Sequence, residues 1–257
     1  MRAPRLSCAL LCALLLAAAG AYGGGELPPA WHSSVVKSAR LAEPGERVVR
    51  LSARFLATPY RANTLIGRAD IPEQLVVAMD GVDCFTLLDY VEAMRRSATP
   101  GDFRRHLVEV RYRGGVIAWE KRRHFFTDWA ADPGSRVVDV TAEVGGPRTR
   151  EAVKTLNRDK DGSPLLPGVP VSERTVRYLP SEALDAALLK RLRPGDYLGI
   201  YSPKPWIDVS HVGIAVQRAG RWFLRHASSR REAGKVIDSD LLDYLAGRPG
   251  LVVLRPQ

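Results

Sequence analysis

Residues 80–94 predict a tight turn followed by a helix. Asp80-Gly81 is typical of a turn, because glycine adopts backbone angles that other residues avoid. Asp83 has the side chain of a helix N-cap, and apolar residues recur after it at helical spacing. The pattern therefore places Cys84 in the first turn of a helix that has one apolar face.

The position of Cys84 makes its side chain a candidate nucleophile. The free N–H groups of a first helical turn and the positive end of the helix dipole stabilise a thiolate, so we expect a lowered thiol pKa. The alternative is an inert cysteine that packs as a small apolar side chain. Position alone does not separate these two interpretations.

The N-terminus predicts a signal peptide at residues 1–21. Arg2 and Arg5 precede an apolar stretch at 6–19, and small residues follow at 19–21. Cys8 and Cys12 lie inside this segment, so we expect one cysteine and no internal disulfide in the mature chain. The apolar run is too short for a membrane span, so we predict export to the periplasm without stable membrane insertion.

The length of the chain indicates one domain after the signal peptide, and its composition makes that domain basic. The 257 residues suit a flexible lead-in at 22–38 and a single domain at 39–257, with an elaborated loop at about 145–180 that borders a cleft. The net charge of +10 fits contact with anionic cell-wall polymers, and a solvated basic surface explains it equally well. Nucleic acid is not an expected partner outside the cytoplasm.

The first two thirds of the chain mix helical and strand patterns. We expect helix within residues 38–56 and a buried strand at 75–79. Residues 108–112 and 116–119 predict two strands of a hairpin, since Gly114-Gly115 between them is a turn signal. A further strand is expected at 137–140.

The last quarter of the chain predicts β-structure that carries two histidines. Strands are expected at 197–201, 209–216 and 221–226, and the last two contain His211 and His226. Consecutive strands joined by a short turn are antiparallel neighbours. We therefore expect the two imidazoles to lie close together at one end of the sheet.

Cys84, His211 and His226 together predict cysteine-dependent amide hydrolysis. The sulfur would attack a carbonyl carbon, and His211 would take the thiol proton and later protonate the leaving amine. His226 would orient that imidazole, and backbone N–H groups at the helix start would stabilise the oxyanion. A lone histidine on a strand is usually structural, whereas two on adjacent strands favour a site.

Several short motifs occur in an order that resembles the NlpC/P60 superfamily of cell-wall amidohydrolases, and more closely its N-acetylmuramoyl-L-alanine amidase-like branch, DUF1460. They lie at residues 58–60, 81–86, 122–129, 194–196, 208–215 and 226–228. The resemblance covers about residues 39–255. It implies an α+β, papain-like fold in which the nucleophile helix packs on an antiparallel β-sheet.

The resemblance also implies roles for individual residues. Cys84 would be the nucleophile, His211 the base and His226 the orienting residue, and Tyr60 would hydrogen-bond near the nucleophile. Phe85 departs from the wider superfamily, which usually has serine after the cysteine. Further candidate substrate-binding residues are Asp83, Arg122, Arg123, His124, Asp128, Trp129 and Asp208. A structural role is the favoured alternative for Trp129, and Asp208 is open to a role in shaping the loop before His211.

The implied substrate is peptidoglycan or a released muropeptide. The amide between the lactyl group of N-acetylmuramic acid and L-alanine is favoured by the branch, and the D-γ-glutamyl–diamino acid bond by the wider superfamily. No metal or cofactor is expected, because the other histidines lack zinc-like spacing. A thiol acyltransferase and an idle wall-binding protein stay open as other functions, and the sequence leaves the oligomeric state open.

Overall fold

The computed structural model describes residues 25–132 and 134–257, so the expected signal peptide, Cys8 and Cys12 lie outside the described residues. The helices are α1 His32–Ser38, α2 Pro44–Ala53, α3 Cys84–Arg96, α4 Phe103–Arg111, α5 Asp128–Ala131, α6 Thr141–Gly145, α7 Ala186–Leu189 and α8 Leu241–Leu245. The strands are β1 Ile66–Arg68, β2 Ile71–Gln74, β3 Val137–Asp139, β4 Arg150–Leu156, β5 Ser172–Pro180, β6 Tyr197–Tyr201, β7 Val209–Arg218, β8 Arg221–Ala227, β9 Val236–Asp240 and β10 Gly250–Pro256.

One large antiparallel sheet organises the described residues into an α+β fold. Its strand order is β4-β5-β10-β6-β7-β8-β9, and β3 pairs with the far end of β10. A separate two-stranded sheet joins β1 and β2. No helix within residues 25–132 or 134–257 has both the length and the apolar character needed to cross a membrane.

Helix α3 packs against the sheet and begins as its sequence predicts. The Asp83 carboxylate accepts hydrogen bonds from the backbone N–H groups of Phe85 (3.0 Å) and Thr86 (2.7 Å), and the Thr86 hydroxyl completes a capping box. Leu88 and Val91 belong to the same buried apolar cluster as Ile214 of β7. Cap and core together fix where the helix starts and which face it buries.

The strand predicted at residues 75–79 is wrong, although most of the segment is buried. Its backbone is satisfied by side chains instead of a neighbouring strand. Ala78 N–H donates to the Tyr90 hydroxyl (2.9 Å), and Val76 C=O accepts from the Arg111 guanidinium (2.8 Å). Polar side chains from α3 and α4 therefore replace the hydrogen bonds to a neighbouring strand that the apolar run predicted.

The hairpin predicted at residues 108–119 is also wrong, because helix α4 continues to Arg111. Phe103, Leu107 and Val110 are buried and recur at helical spacing, which outweighs the short alternation at its end. Gly114 and Gly115 do make a turn, with φ of 64° and 67°. Residues 116–118 form no strand after it.

The other strand predictions are confirmed. β3 lies within the strand expected at 137–140, and β6, β7 and β8 occupy the three strands expected in the last quarter. The helix expected within 38–56 is α2. Residues 145–180 contain β4 and β5, which pair along their length and project a tip that includes Leu165 and Leu166.

Candidate active site

Strands β7 and β8 bring the two histidines together, as their sequence positions predict. The strands pair antiparallel, and His211 Nε2 lies 2.8 Å from His226 Nδ1. The ring planes are nearly perpendicular, at 88°. This hydrogen bond fixes the orientation of the His211 ring.

The hydrogen-bonded chain continues to β9. His226 Nε2 lies 3.1 Å from Ser239 Oγ, so each nitrogen of the His226 ring has a partner. Among the described residues, no hydrogen bond occupies His211 Nδ1. Ser239 was missed at the sequence level, because a serine on a strand carries no signal of its own.

Cys84 lies at the start of α3, against the strand that carries His211. The thiol is half-buried and interacts with the backbone N–H groups of Val212, Cys84 itself and Phe85. Cys84 and His211 line the same cavity, of about 290 Å³. The complete lining is Cys84, Phe85, His124, Phe125, Phe126, Leu165, Leu166, Ile207, Asp208, Val209, Ser210, His211 and Val212.

The electrostatics of the thiol differ from the sequence-based expectation. Burial, followed by the adjacent Asp83 carboxylate, raises the pKa of Cys84 to about 11. The backbone N–H groups lower this pKa, but their effect is smaller than that of burial. The expected low-pKa thiolate is therefore wrong for the ligand-free protein.

Both imidazoles are neutral near pH 7. Burial, with smaller contributions from His226 and Arg248, lowers the pKa of His211 to about 3. Burial and the nearby Arg230 and Arg248 lower the pKa of His226 to about 4. A neutral thiol thus lies in one cavity with a neutral imidazole, which is the protonation state in which a histidine can act as a base.

Tyr60 lies close to the nucleophile candidate. Its N–H donates to Gly234 C=O (2.8 Å), and its backbone forms a bridge with Val82, two residues before Cys84. Burial, with Cys84 and Asp83, raises the pKa of the Tyr60 phenol. The structure therefore brings Tyr60 to the site.

Two aspartates near the cavity are engaged with the backbone. Asp83 is the α3 cap described above. Asp208 is buried and accepts hydrogen bonds from the backbone N–H (2.7 Å) and hydroxyl (2.8 Å) of Thr127. Burial raises the pKa of Asp208. Its hydrogen bonds to Thr127 hold the loop before α5 against the start of β7.

Arg123 and Asp128 do not line the cavity. Arg123 donates to the carbonyls of Glu109 (2.6 Å) and Val110 (2.8 Å) and pairs with Asp132. Asp128 accepts from Phe125 N–H (3.1 Å) and Arg174 (2.8 Å). Both side chains are buried and bonded to other protein groups. Their positions in the sequence predicted a place in a binding site, and the structure does not put them there.

His124 is the polar residue of segment 122–129 that reaches the cavity. Its Nε2 lies 2.9 Å from Trp119 C=O, and burial lowers its pKa to about 4. Arg122 pairs with Glu73, and Trp129 packs edge-on against Phe85. In the described parts of the chain, no group of three or more His, Cys, Asp or Glu side chains is arranged to hold a metal ion.

Sequence reasoning also missed residues on both sides of the histidines. Leu165 and Leu166, from the β4–β5 tip, line the cavity. The Tyr244 ring of α8 lies 4.9 Å from the His226 ring and 6.1 Å from the His211 ring. A leucine in a loop and a tyrosine on a short helix give no functional signal before the fold is known.

Comparison with known families gives one match over most of the chain. The family model described as AmiA-like, N-acetylmuramoyl-L-alanine amidase-like, matches residues 50–251. A search of curated proteins gives no match.

Solved structures give similar chains. An N-acetylmuramoyl-L-alanine amidase from Bacteroides uniformis is 29% identical, with a TM-score of 0.71, and the match covers 83% of this chain and 99% of that one. A Bacteroides fragilis protein proposed as a xylanase is 31% identical, with a TM-score of 0.66 and coverage of 79% and 98%. A Legionella pneumophila protein of the DUF1460 family shares the fold at 23% identity, with a TM-score of 0.73 and coverage of 88% and 94%.

Proposed function

The chain belongs to the AmiA-like family of N-acetylmuramoyl-L-alanine amidase-like proteins, and we propose that it is a cysteine-dependent peptidoglycan amidase. The bond cut is the amide between the lactyl group of N-acetylmuramic acid and L-alanine. The observation that carries the cysteine mechanism is the placement of His211. Its Nε2 is bonded to His226, while Cys84 lines the same cavity as the His211 ring.

The reaction begins from the neutral pair. His211 Nδ1 takes the thiol proton as the Cys84 sulfur bonds to the amide carbon. The tetrahedral oxyanion accepts hydrogen bonds from backbone N–H groups at the start of α3. His211 then protonates the amine of L-alanine, the C–N bond breaks, and a thioester to the lactyl carbonyl is left.

Water completes the cycle. His211 removes a proton from a water molecule, whose oxygen attacks the thioester carbon, and the departing sulfur regains the proton. The contacts of His226 with His211 and Ser239 are compatible with the tautomer this requires, in which His211 Nε2–H donates to His226 Nδ1 and His226 Nε2–H donates to Ser239 Oγ. That tautomer leaves the lone pair of His211 Nδ1 available as the base.

An amide is a better substrate for this cavity than a glycosidic bond. Glycoside hydrolysis generally uses two carboxyl groups on opposite sides of the scissile bond. Asp208 supplies the one carboxylate of the lining, and Thr127 and Val209 already occupy it. A neutral thiol and imidazole instead fit acyl transfer.

The arrangement of α3 on the sheet supports a papain-like fold. A helix that starts at the nucleophile and packs on an antiparallel sheet carrying the histidines is the papain-like arrangement of NlpC/P60 enzymes. We further propose that residues 1–21 are removed on export and that the remaining domain acts in the periplasm. Its core includes Trp31 and Val35, so the lead-in expected to be flexible at 22–38 is helical and packed over residues 32–38.

Defined muropeptides test the function directly. Purified protein and its Cys84→Ala variant are incubated with N-acetylmuramoyl peptides, and the products are identified by mass. We expect the wild type to release a free stem peptide that begins with L-alanine, and the variant to release none. Release of glycan-linked L-Ala-D-Glu would identify a D-γ-glutamyl endopeptidase instead, and products that do not depend on Cys84 would refute the cysteine mechanism.

A further inference from the structure

The Arg248 side chain packs on Tyr244, whose ring also contacts the histidine pair. The Arg248 guanidinium carbon lies 4.2 Å from the centre of the Tyr244 ring, and Arg248 Nε donates to Tyr244 C=O (2.6 Å). The same Tyr244 ring lies 4.9 Å from the His226 ring. Arg248 and His226 therefore both contact the Tyr244 ring.

A second arginine approaches from the turn that follows β8. Arg230 C=O accepts from Gly234 N–H (2.7 Å), and Gly234 C=O accepts from Tyr60 N–H (2.8 Å). The turn is thus fixed between the end of the His226 strand and Tyr60, which lies beside Cys84. The Arg230 side chain itself is exposed.

Neither guanidinium is neutralised within the described residues. Other arginines of this region form ion pairs, including Arg61 with Asp80 and Arg225 with Asp238, whereas Arg230 and Arg248 form none there. Both lower the pKa of His226, which shows that their positive field reaches the site. Asp238 raises the pKa of His226, but its carboxylate is already paired with Arg225 and Arg218.

We propose that Arg230 and Arg248 form a carboxylate subsite that receives the free α-carboxylate of the D-glutamate in the stem peptide. This proposal rests on the proposed amidase function. In a γ-linked D-glutamate the α-carboxylate is not part of the chain, so it stays charged. Guanidinium groups bind carboxylates through two parallel N–H···O bonds.

The reach of the substrate is comparable with the distance from the histidine pair to Arg248. The D-glutamate Cα follows that of L-alanine by 3.8 Å, so its carboxylate lies about 6–8 Å from the scissile carbonyl carbon. The path from His226 across Tyr244 to Arg248 consists of steps of 4.9 Å and 4.2 Å. The apolar cavity wall around Leu165 and Leu166 offers no such partner for an anion.

The test compares two muropeptides that differ in one group, namely D-glutamate with a free α-carboxylate and D-isoglutamine, in which that group is an amide. Binding is measured by calorimetry in a Cys84→Ala background, so the readout does not depend on cleavage. We expect the acid form to bind at least about 10-fold more tightly, and Arg230→Gln/Arg248→Gln to remove that preference. Arg231→Gln, an exposed neighbour in the same turn, is the matched control and should retain it.

The outcomes separate this proposal from the proposed function. Equal binding of the two forms, or a preference that survives in the double variant, would overturn the subsite even if the wild type cleaves both. A preference that requires the two arginines, without cleavage of either form by the wild type, would support the subsite and refute the amidase. Arg230→Gln alone should reduce the preference in a protein whose unfolding is unchanged, because that side chain is exposed.

Discussion

Two regions of this molecule concentrate polar and aromatic residues, and the structure uses them differently. In segment 122–129, Arg122, Arg123 and Asp128 form ion pairs or hydrogen bonds with other protein groups. In the second region, Cys84 and His211 line a cavity, and no described residue hydrogen-bonds to His211 Nδ1. Both regions are therefore rich in polar side chains. The charged groups of the first are bonded to protein partners, although Arg123 Nε and Trp129 Nε1 have none among the described residues, whereas the second joins a thiol to a hydrogen-bonded histidine pair.

The difference teaches how to interpret such motifs. When one member of a buried ion pair is removed, the charge of the other is left without compensation, and the fold is destabilised. A group that faces a cavity with an unused lone pair can act on a ligand. Substitutions in the two regions should therefore separate activity from stability.

His211→Ala should give the largest effect, because it removes the base without removing a structural ion pair. We expect kcat/KM on muropeptides to fall about 10⁴-fold, as for other members of catalytic triads. The midpoint of thermal unfolding should change by only a few degrees. Activity within about 10-fold of wild type would contradict the role of this residue.

Asp128→Ala should show the opposite behaviour. Removing this buried carboxylate takes away the ion-pair partner of the partly exposed Arg174, which keeps its hydrogen bond to Thr127, so we expect a loss of about 1–3 kcal/mol in the free energy of unfolding. Activity per folded molecule should change little. Urea denaturation measures the loss, and Asp70→Ala, which removes an exposed pair with Arg68, should cost less than about 1 kcal/mol.

The alkylation rate of Cys84 tests whether the pKa of its thiol is raised. With a thiol pKa of about 11, the thiolate fraction at pH 7 is about 100-fold below that of an ordinary cysteine. The rate with iodoacetamide should therefore be slow at pH 7 and rise about 10-fold per pH unit until it approaches pH 11. A rate that levels off below pH 9 would show that the thiol is activated without substrate.

Asp83→Asn should give the smallest and most specific change. Asparagine also caps helices, so the free energy of unfolding should change by less than about 1 kcal/mol. Loss of the negative charge lowers the pKa of the Cys84 thiol, so alkylation at pH 8 should accelerate a few-fold. Asp80→Asn, an exposed residue paired with Arg61, is the control and should leave the alkylation rate unchanged.

The failed predictions share a physical origin. Residues 75–79 and 108–112 carry apolar patterns that suit a strand, but tertiary contacts decide their structure. Tyr90 and Arg111 satisfy the backbone of the first segment, and the second continues a helix whose buried face begins at Phe103. A short apolar run cannot distinguish these outcomes, because its backbone partners lie elsewhere in the chain.

Sequence by itself determined the features that depend on local interactions. A cap residue selects where α3 begins, and a short turn makes β7 and β8 antiparallel neighbours, so the positions of Cys84, His211 and His226 followed from nearby residues. Only the tertiary structure decided which of the polar groups remain available. Burial and ion pairing depend on residues far apart in the chain, and they set the raised thiol pKa, the Ser239 contact and the two unpaired arginines among the described residues.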